Sequence, residues 1–144
     1  MKVLMINGSP HPNGNTAIAL EEMKKVFEAA PLFADCDEIV VGTPFDKTMK
    51  VGASVVVARR GGLSATFDEI NKYFTICGMP VASSQYWNSV HGREPGEANQ
   101  DAESLQTMRT LARNMTFLMK SIALGKEKFG LPEKEEWVAT HFIR

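Results

Sequence analysis

The sequence predicts an α/β protein: a doubly wound parallel sheet with helices on both faces, three layers in all. Three observations carry that expectation. Short apolar runs alternate with longer stretches of helical period along the chain. The runs are apolar on both of their faces, as strands covered from both sides must be. A turn rich in glycine and hydroxyl groups joins the first run to the first helix, the usual layout of a strand–helix unit in such sheets.

Taken in order, Lys2 to Ile6 reads as the first strand, central because neither face is polar. Thr16 to Ala29 reads as the first helix, with Ile18, Leu20, Met23, Val26 and Phe27 available to the sheet. Glu38 to Gly42 and Gly52 to Ala58 read as the second and third strands, and Arg59 to Gly62 as a turn. The helix after that turn runs from about Ser64 to Cys77, with Phe67, Ile70, Phe74 and Cys77 on one face. Gly78 supplies the residue that leaves the helix, and Pro80 blocks its continuation. Val81 to Ser84 is a short last strand. Asp101 to Leu124 is a long helix with apolar residues at 105, 108, 111, 115, 118 and 122, ended by Gly125. Residues 126–144 have no clean period and form a C-terminal tail to a single domain spanning 1–144.

The strand count is one short for a five-stranded sheet. A parallel connection needs about 10–12 residues or more. Neither the stretch before Cys36 nor that between Thr43 and Lys50 provides it. One strand and its connecting segments are therefore expected to be lacking near 30–31 and 44–46.

The most informative stretch is N-G-S-P-H-P-N-G-N-T, Asn7 to Thr16. Backbone N–H groups converge where a strand hands over to a helix, and the first helical turn carries roughly half a positive charge. Ser9, Asn13, Asn15 and Thr16 add short polar side chains. Gly8 and Gly14 are expected to allow close approach and positive φ. Three familiar phosphate loops fail here. The two glycines lie six apart with Asn15 where a Walker loop needs lysine, a dinucleotide fingerprint would need a further glycine, and no cysteine nucleophile is near. What remains is a loop that binds a phosphomonoester without attacking it, which suits the tail of a flavin mononucleotide.

K-V-L-M-I-N-G-S-P-H-P-N-G-N-T at the start resembles the opening of the flavodoxin-like NAD(P)H-dependent FMN reductases. V-V-V-A-R-R-G-G-L-S-A-T-F-D-E-I-N-K-Y-F (Val55 to Phe74) and S-S-Q-Y-W-N-S-V-H-G (Ser83 to Gly92) resemble the same family. The resemblance implies a flavodoxin-like fold, FMN as cofactor, NAD(P)H as co-substrate, and a homodimer with flavin near the interface. Ser9, Asn13, Gly14, Asn15 and Thr16 are then expected to line the phosphate, and His11 is read either as lending it charge or as a solvent-facing loop residue. Gly42, Thr43 and Pro44 resemble the start of the loop under the isoalloxazine, although the family's usual aromatics are not visible there. Ala58, Arg59, Arg60, Gly61 and Gly62 would face the ring's pyrimidine edge, where positive charge stabilises the reduced anion. Arg59 and Arg60 have two competing readings: holding nicotinamide-cofactor phosphates, or forming a solvated basic turn.

The implied activity passes hydride from NAD(P)H through flavin to a small acceptor: a quinone, a nitro compound or free flavin. A flavodoxin-type electron carrier without turnover is the rival. The net charge of −1 bears on that choice. Single-electron shuttles are strongly acidic because they dock on basic partners, so a near-neutral chain favours the enzyme. Tyr86, Trp87 and Asn88 are read either as a wall beside the ring and contacts across a dimer, or as a plug closing the sheet. His91 is a proton donor to a quinone-like acceptor or a plain surface histidine.

Other classes are disfavoured. No basic stripe interleaves with aromatics, which argues against nucleic acid. No apolar stretch approaches the ~20 residues of a membrane span. Met1 to Ile6 is too short for a secretory h-region, and Cys36 and Cys77 stand far apart, so a reducing cytoplasm is expected. Three scattered histidines without a carboxylate at ligand spacing predict no metal site. Most of the eight methionines, Met23, Met108 and Met115 among them, fall on core-facing helical positions.

Overall fold

A computed structural model describes residues 3–30 and 48–142. Their elements are α1 (Asn15–Glu28), β1 (Val56–Ala58), α2 (Leu63–Ile76), β2 (Ser89–His91), a 3-10 turn (Glu97–Gln100) and α3 (Ala102–Phe129). Mixed α/β architecture with a parallel sheet is what they form. The expected strand Glu38 to Gly42, Cys36, Thr43, Pro44 and the shortened connections near 30–31 and 44–46 fall outside the described residues.

β1 and β2 pair in parallel, with Val56 opposite Ser89, Val57 opposite Val90 and Ala58 opposite His91. The ladder begins earlier, at a single parallel bridge between Gly52 and Val81. Between those two registers, residues 53–55 face the much longer stretch 82–88, so the second segment bulges outward. The last strand is therefore split. Val81 supplies only the bridge, and the paired residues are Ser89–His91 rather than the expected Val81 to Ser84. Tyr86 and Trp87 sit in the bulge, with ring centroids 5.0 Å apart, and both are exposed. They precede the paired strand instead of following it, so they neither plug the sheet nor stand at its carboxyl edge.

Alternation along the third segment shows how the layers are arranged. Val51, Ala53, Val55 and Val57 pack on the core made with α1 and α3. The even positions face α2: the Ser54 hydroxyl donates to Asn71 Oδ1 at 2.7 Å, and Gly52 backs onto the Phe74 ring. Successive side chains of an extended chain point to opposite faces. Helices α1 and α3 thus lie on one face of this segment and α2 on the other.

α1 buries Ala19, Met23 and Phe27 against Met108, Leu111, Ala112 and Met115 of α3. Met23, Met108 and Met115 are core residues, as their helical spacing predicts. Glu22 of α1 pairs with Arg109 of α3 and with Lys25. The hydrogen bond from Lys25, then that from Arg109, holds the Glu22 carboxyl below the usual carboxylate range. On α2, Phe67, Phe74 and Cys77 are half-buried, while Ile70 is exposed. Gly78 adopts φ 67° just past the helix, as expected of a C′ glycine.

Two expectations are corrected. Val3–Ile6 joins no ladder among the described residues. Val3 and Met5 pack on the core, whereas Leu4 and Ile6 are 57% and 76% exposed. Burial alternates along the run, with one side covered and the other open, so it is not a strand buried on both faces. The long helix does not stop at Gly125 but continues to Phe129. A helical glycine costs about 1 kcal/mol relative to alanine, too little to break a ladder carried on by Lys126 to Phe129. Gly130, at φ 78° and followed by Leu131 and Pro132, ends it instead.

Candidate functional site

Parallel pairing brings the residues after β1 and those after β2 out at the same carboxyl edge of the sheet. A cleft of about 460 Å³ opens there, with Arg59 and Arg60 on one side, His91 to Arg93 on the other, and Glu97, Gln100 and Asp101 lining the rest. In open α/β sheets ligands bind outside the carboxyl ends of the strands.

The charges of the cleft are arranged unequally. Glu97 accepts the backbone N–H groups of Arg93 (2.7 Å) and Glu94 (3.0 Å). Those two bonds, Arg93's first, hold its carboxyl low, with the Arg93 and Arg59 charges adding to the effect. Arg93 Nε pairs with Glu94 at 2.9 Å. Arg59 and Arg60 are exposed and have no ion-pair or hydrogen-bond partner among the described residues. Two guanidinium groups therefore face the cleft without an ion pair, Arg59 near enough to Glu97 for its charge to act on that carboxylate.

Asp101 organises the opposite wall. Its Oδ1 accepts Ser104 N–H at 3.1 Å and caps α3, while Oδ2 accepts His91 N–H at 2.8 Å and lies 3.2 Å from His91 Nδ1. Burial pushes the Asp101 carboxyl up, but hydrogen bonds from Ser104 and His91 outweigh it and leave the group below its usual range. An ionised carboxylate only accepts, so the Nδ1 facing it carries the ring proton. The ring is half-exposed and lines the cleft, and its other nitrogen makes no hydrogen bond among the described residues.

The first loop reaches this edge through its own network. Ser9 N–H donates to Asn7 Oδ1 (3.0 Å), His11 N–H to Ser9 Oγ (3.2 Å), and Gly14 N–H to the His11 carbonyl (3.0 Å). The expected positive φ is absent here: Gly14 has φ −82°, and Gly8 is not among the left-handed glycines. Close approach rather than φ is what favours Gly14: a Cβ would lie 3.2 Å from both His11 Cβ and the His11 carbonyl oxygen, so His11 would have to give by a few tenths of an ångström. No side chain caps α1. The backbone N–H groups of Asn15 and Thr16, and the Thr16 hydroxyl, have no acceptor among the described residues.

Asn15 is turned away from that open helix end. Its Nδ2 donates to the Glu94 carbonyl at 3.0 Å, and its Oδ1 accepts Ala98 N–H at 3.1 Å. Gly92 makes room for the amide, since a Cβ there would stand 2.6 Å from Nδ2. Asn15 thus braces the first loop against residues 94–98, where sequence reasoning expects a phosphate ligand. His11 and Asn13 are exposed on the outside of the loop. In the loop after β1, Ala58 ends the strand, Arg59 and Arg60 line the cleft, Gly61 is open, and Gly62 (φ 88°) is the residue before α2.

Sequence reasoning did not single out Arg93, Glu97 or Asp101 as site residues. Asp101 followed by Ser104 at the start of a periodic stretch is a helix-cap signal, and its link to His91 has no sequence signature at all. Among the described residues no three His, Cys, Asp or Glu side chains gather as a metal site requires. No helix there is long and apolar enough to cross a membrane. Compared with protein-family models, curated proteins and solved structures, the chain matches none.

Proposed function

We propose that the chain is an FMN-dependent oxidoreductase of flavodoxin-like, doubly wound fold, which passes hydride from NAD(P)H through the flavin to a quinone, nitro compound or free flavin. The observation that carries this reading is the convergence on one sheet edge of the first loop, braced there by Asn15, with the segments that follow β1 and β2. There the Asn15 and Thr16 N–H groups and the Arg59 and Arg60 guanidinium groups have no hydrogen-bond partner among the described residues. Helices on both faces of the third segment, with α1 and α3 together, support the fold. The open N–H groups of Asn15 and Thr16 and the hydroxyls of Ser9 and Thr16 are the donors a phosphate dianion needs, at the positive end of a helix with no cap.

Bound flavin would supply the two-electron chemistry, so no protein nucleophile is required. The chain's own groups bind and orient. Arg59 and Arg60 provide positive charge for the ring's pyrimidine edge or for the phosphates of the nicotinamide nucleotide. His91, its Nδ1–H held by Asp101, is the group in the cleft able to exchange a proton with an acceptor's oxygen through its other nitrogen. Asn15 acts indirectly by keeping the first loop against the 94–98 turn.

Titration of the purified protein with FMN, followed by NAD(P)H oxidation with a quinone acceptor, tests the proposal. Saturable flavin binding is expected, weakened by about 1–3 kcal/mol in Ser9→Ala/Thr16→Val through unpaired phosphate oxygens. Binding without turnover, with any acceptor, would make the protein an electron carrier. No flavin binding would sink both readings.

A further inference from the structure

α3 stops contributing buried residues at Thr116, yet it runs on to Phe129. Over this outer half, Arg113, Phe117, Lys120, Leu124 and Lys128 recur at helical intervals and share one solvent-facing stripe. Phe117 and Leu124 are 69% and 65% exposed, and the stripe alternates basic with apolar residues over about 22 Å. After Gly130 the chain leaves as an arm without regular structure, residues 131–142. Trp137, Val138 and Phe142 of that arm are 84–88% exposed. Glu133, Glu135 and Glu136 make it acidic against the single Lys134. None of these lysines and glutamates has an ion-pair partner among the described residues.

We propose that this arm docks on the α3 stripe of a second copy of the chain, each copy lending its arm and receiving its partner's. The two surfaces complement each other in charge and in apolar content. Large apolar side chains gathered in water mark an interaction surface. Extended, the arm spans roughly 30–40 Å, enough to cover the whole stripe. Every residue of the arm is exposed, and an exchange in which both copies use the same two surfaces closes as a two-fold dimer. The inference rests on α3 and the arm alone and is independent of flavin.

Sedimentation velocity of the full chain across the micromolar range tests it. A dimer is expected, with dissociation at least tenfold easier in Trp137→Asp/Phe142→Asp, whose circular dichroism should match the parent. Two charge reversals complete the test. Glu135→Lys/Glu136→Lys gives a chain with arm and stripe both basic, and Lys120→Glu/Lys128→Glu gives one with both acidic. Each alone should be monomeric, and an equimolar mixture should dimerise, because every arm then meets a stripe of opposite sign. A parent chain monomeric throughout, as an arm folded on its own helix would give, overturns the proposal. So does a dimer that survives the arm substitutions, or a mixture that stays monomeric.

Discussion

Gly92→Ala puts the Asn15 brace under direct strain. The added Cβ would lie 2.6 Å from Asn15 Nδ2, 2.8 Å from its Cγ and 3.0 Å from the backbone nitrogen of Ala98. A flexible side chain can normally swing clear, but this amide holds the Glu94 carbonyl and the Ala98 N–H together. Moving it forfeits both bonds, each worth about 0.5–1.5 kcal/mol net. Ala98 is fully buried, so its N–H is left without water, a further cost of about 1–3 kcal/mol. The total is about 2–6 kcal/mol, read in urea as a midpoint lower by roughly 1–3 M at unchanged slope. A double-mutant cycle with Asn15→Ala isolates the cause. Once the amide is gone, Gly92→Ala meets only the Ala98 nitrogen at 3.0 Å, so the pair should cost well short of the sum of the two single changes. Additive costs, or a Gly92→Ala effect below about 0.5 kcal/mol, would refute the brace.

Two further outcomes follow from the packing. Gly52→Ala would set a Cβ 2.7 Å from Phe74 Cγ and 2.8 Å from Cδ1, between the third segment and α2. It should destabilise by about 1–3 kcal/mol and lower the melting temperature by at least ~3 °C, whereas an unchanged melting curve would mean that α2 does not sit on that face. Glu22 and Asp101 both have folded-state pKa values below their ordinary 4.5 and 3.8. Their stabilising effect is therefore complete above those values and lost as pH falls through the lowered ones. Stability measured by urea should be flat down to about pH 4.5 and then decline, less steeply in Glu22→Gln. A decline of equal slope in that variant would remove Glu22 from the cause.

Much of the helical layout was legible because it rests on local periodicity. α1 and α2 begin and end within about one residue of the positions their spacing predicts. Asp101 announces the start of α3, and Gly78 the end of α2. The strands were less so. A three-residue strand carries almost no period, and what selects Ser89–His91 over Val81 to Ser84 is the partner across the ladder. The exposed faces of Leu4 and Ile6 teach the same lesson, since apolar character does not say that both sides are covered. Gly125 misled because one unfavourable residue weighs little against a continuing hydrogen-bond ladder.

The site divides in the same way. Residue order alone determined that a polar, glycine-bearing turn precedes the first helix, that two arginines follow the third run, and that a histidine stands in the segment beyond the last one. Those are properties of neighbours along the chain, and covalent order is enough to state them. Only the tertiary structure decided that Asn15 braces Glu94 and Ala98 at 3.0 and 3.1 Å, that Asp101 holds His91, and that Arg59 and Arg60 share a cleft with both. Those pairings join residues far apart in sequence. They exist because parallel strands deliver their carboxyl ends to one edge, and packing of α1 on α3 then sets the distances between the loops.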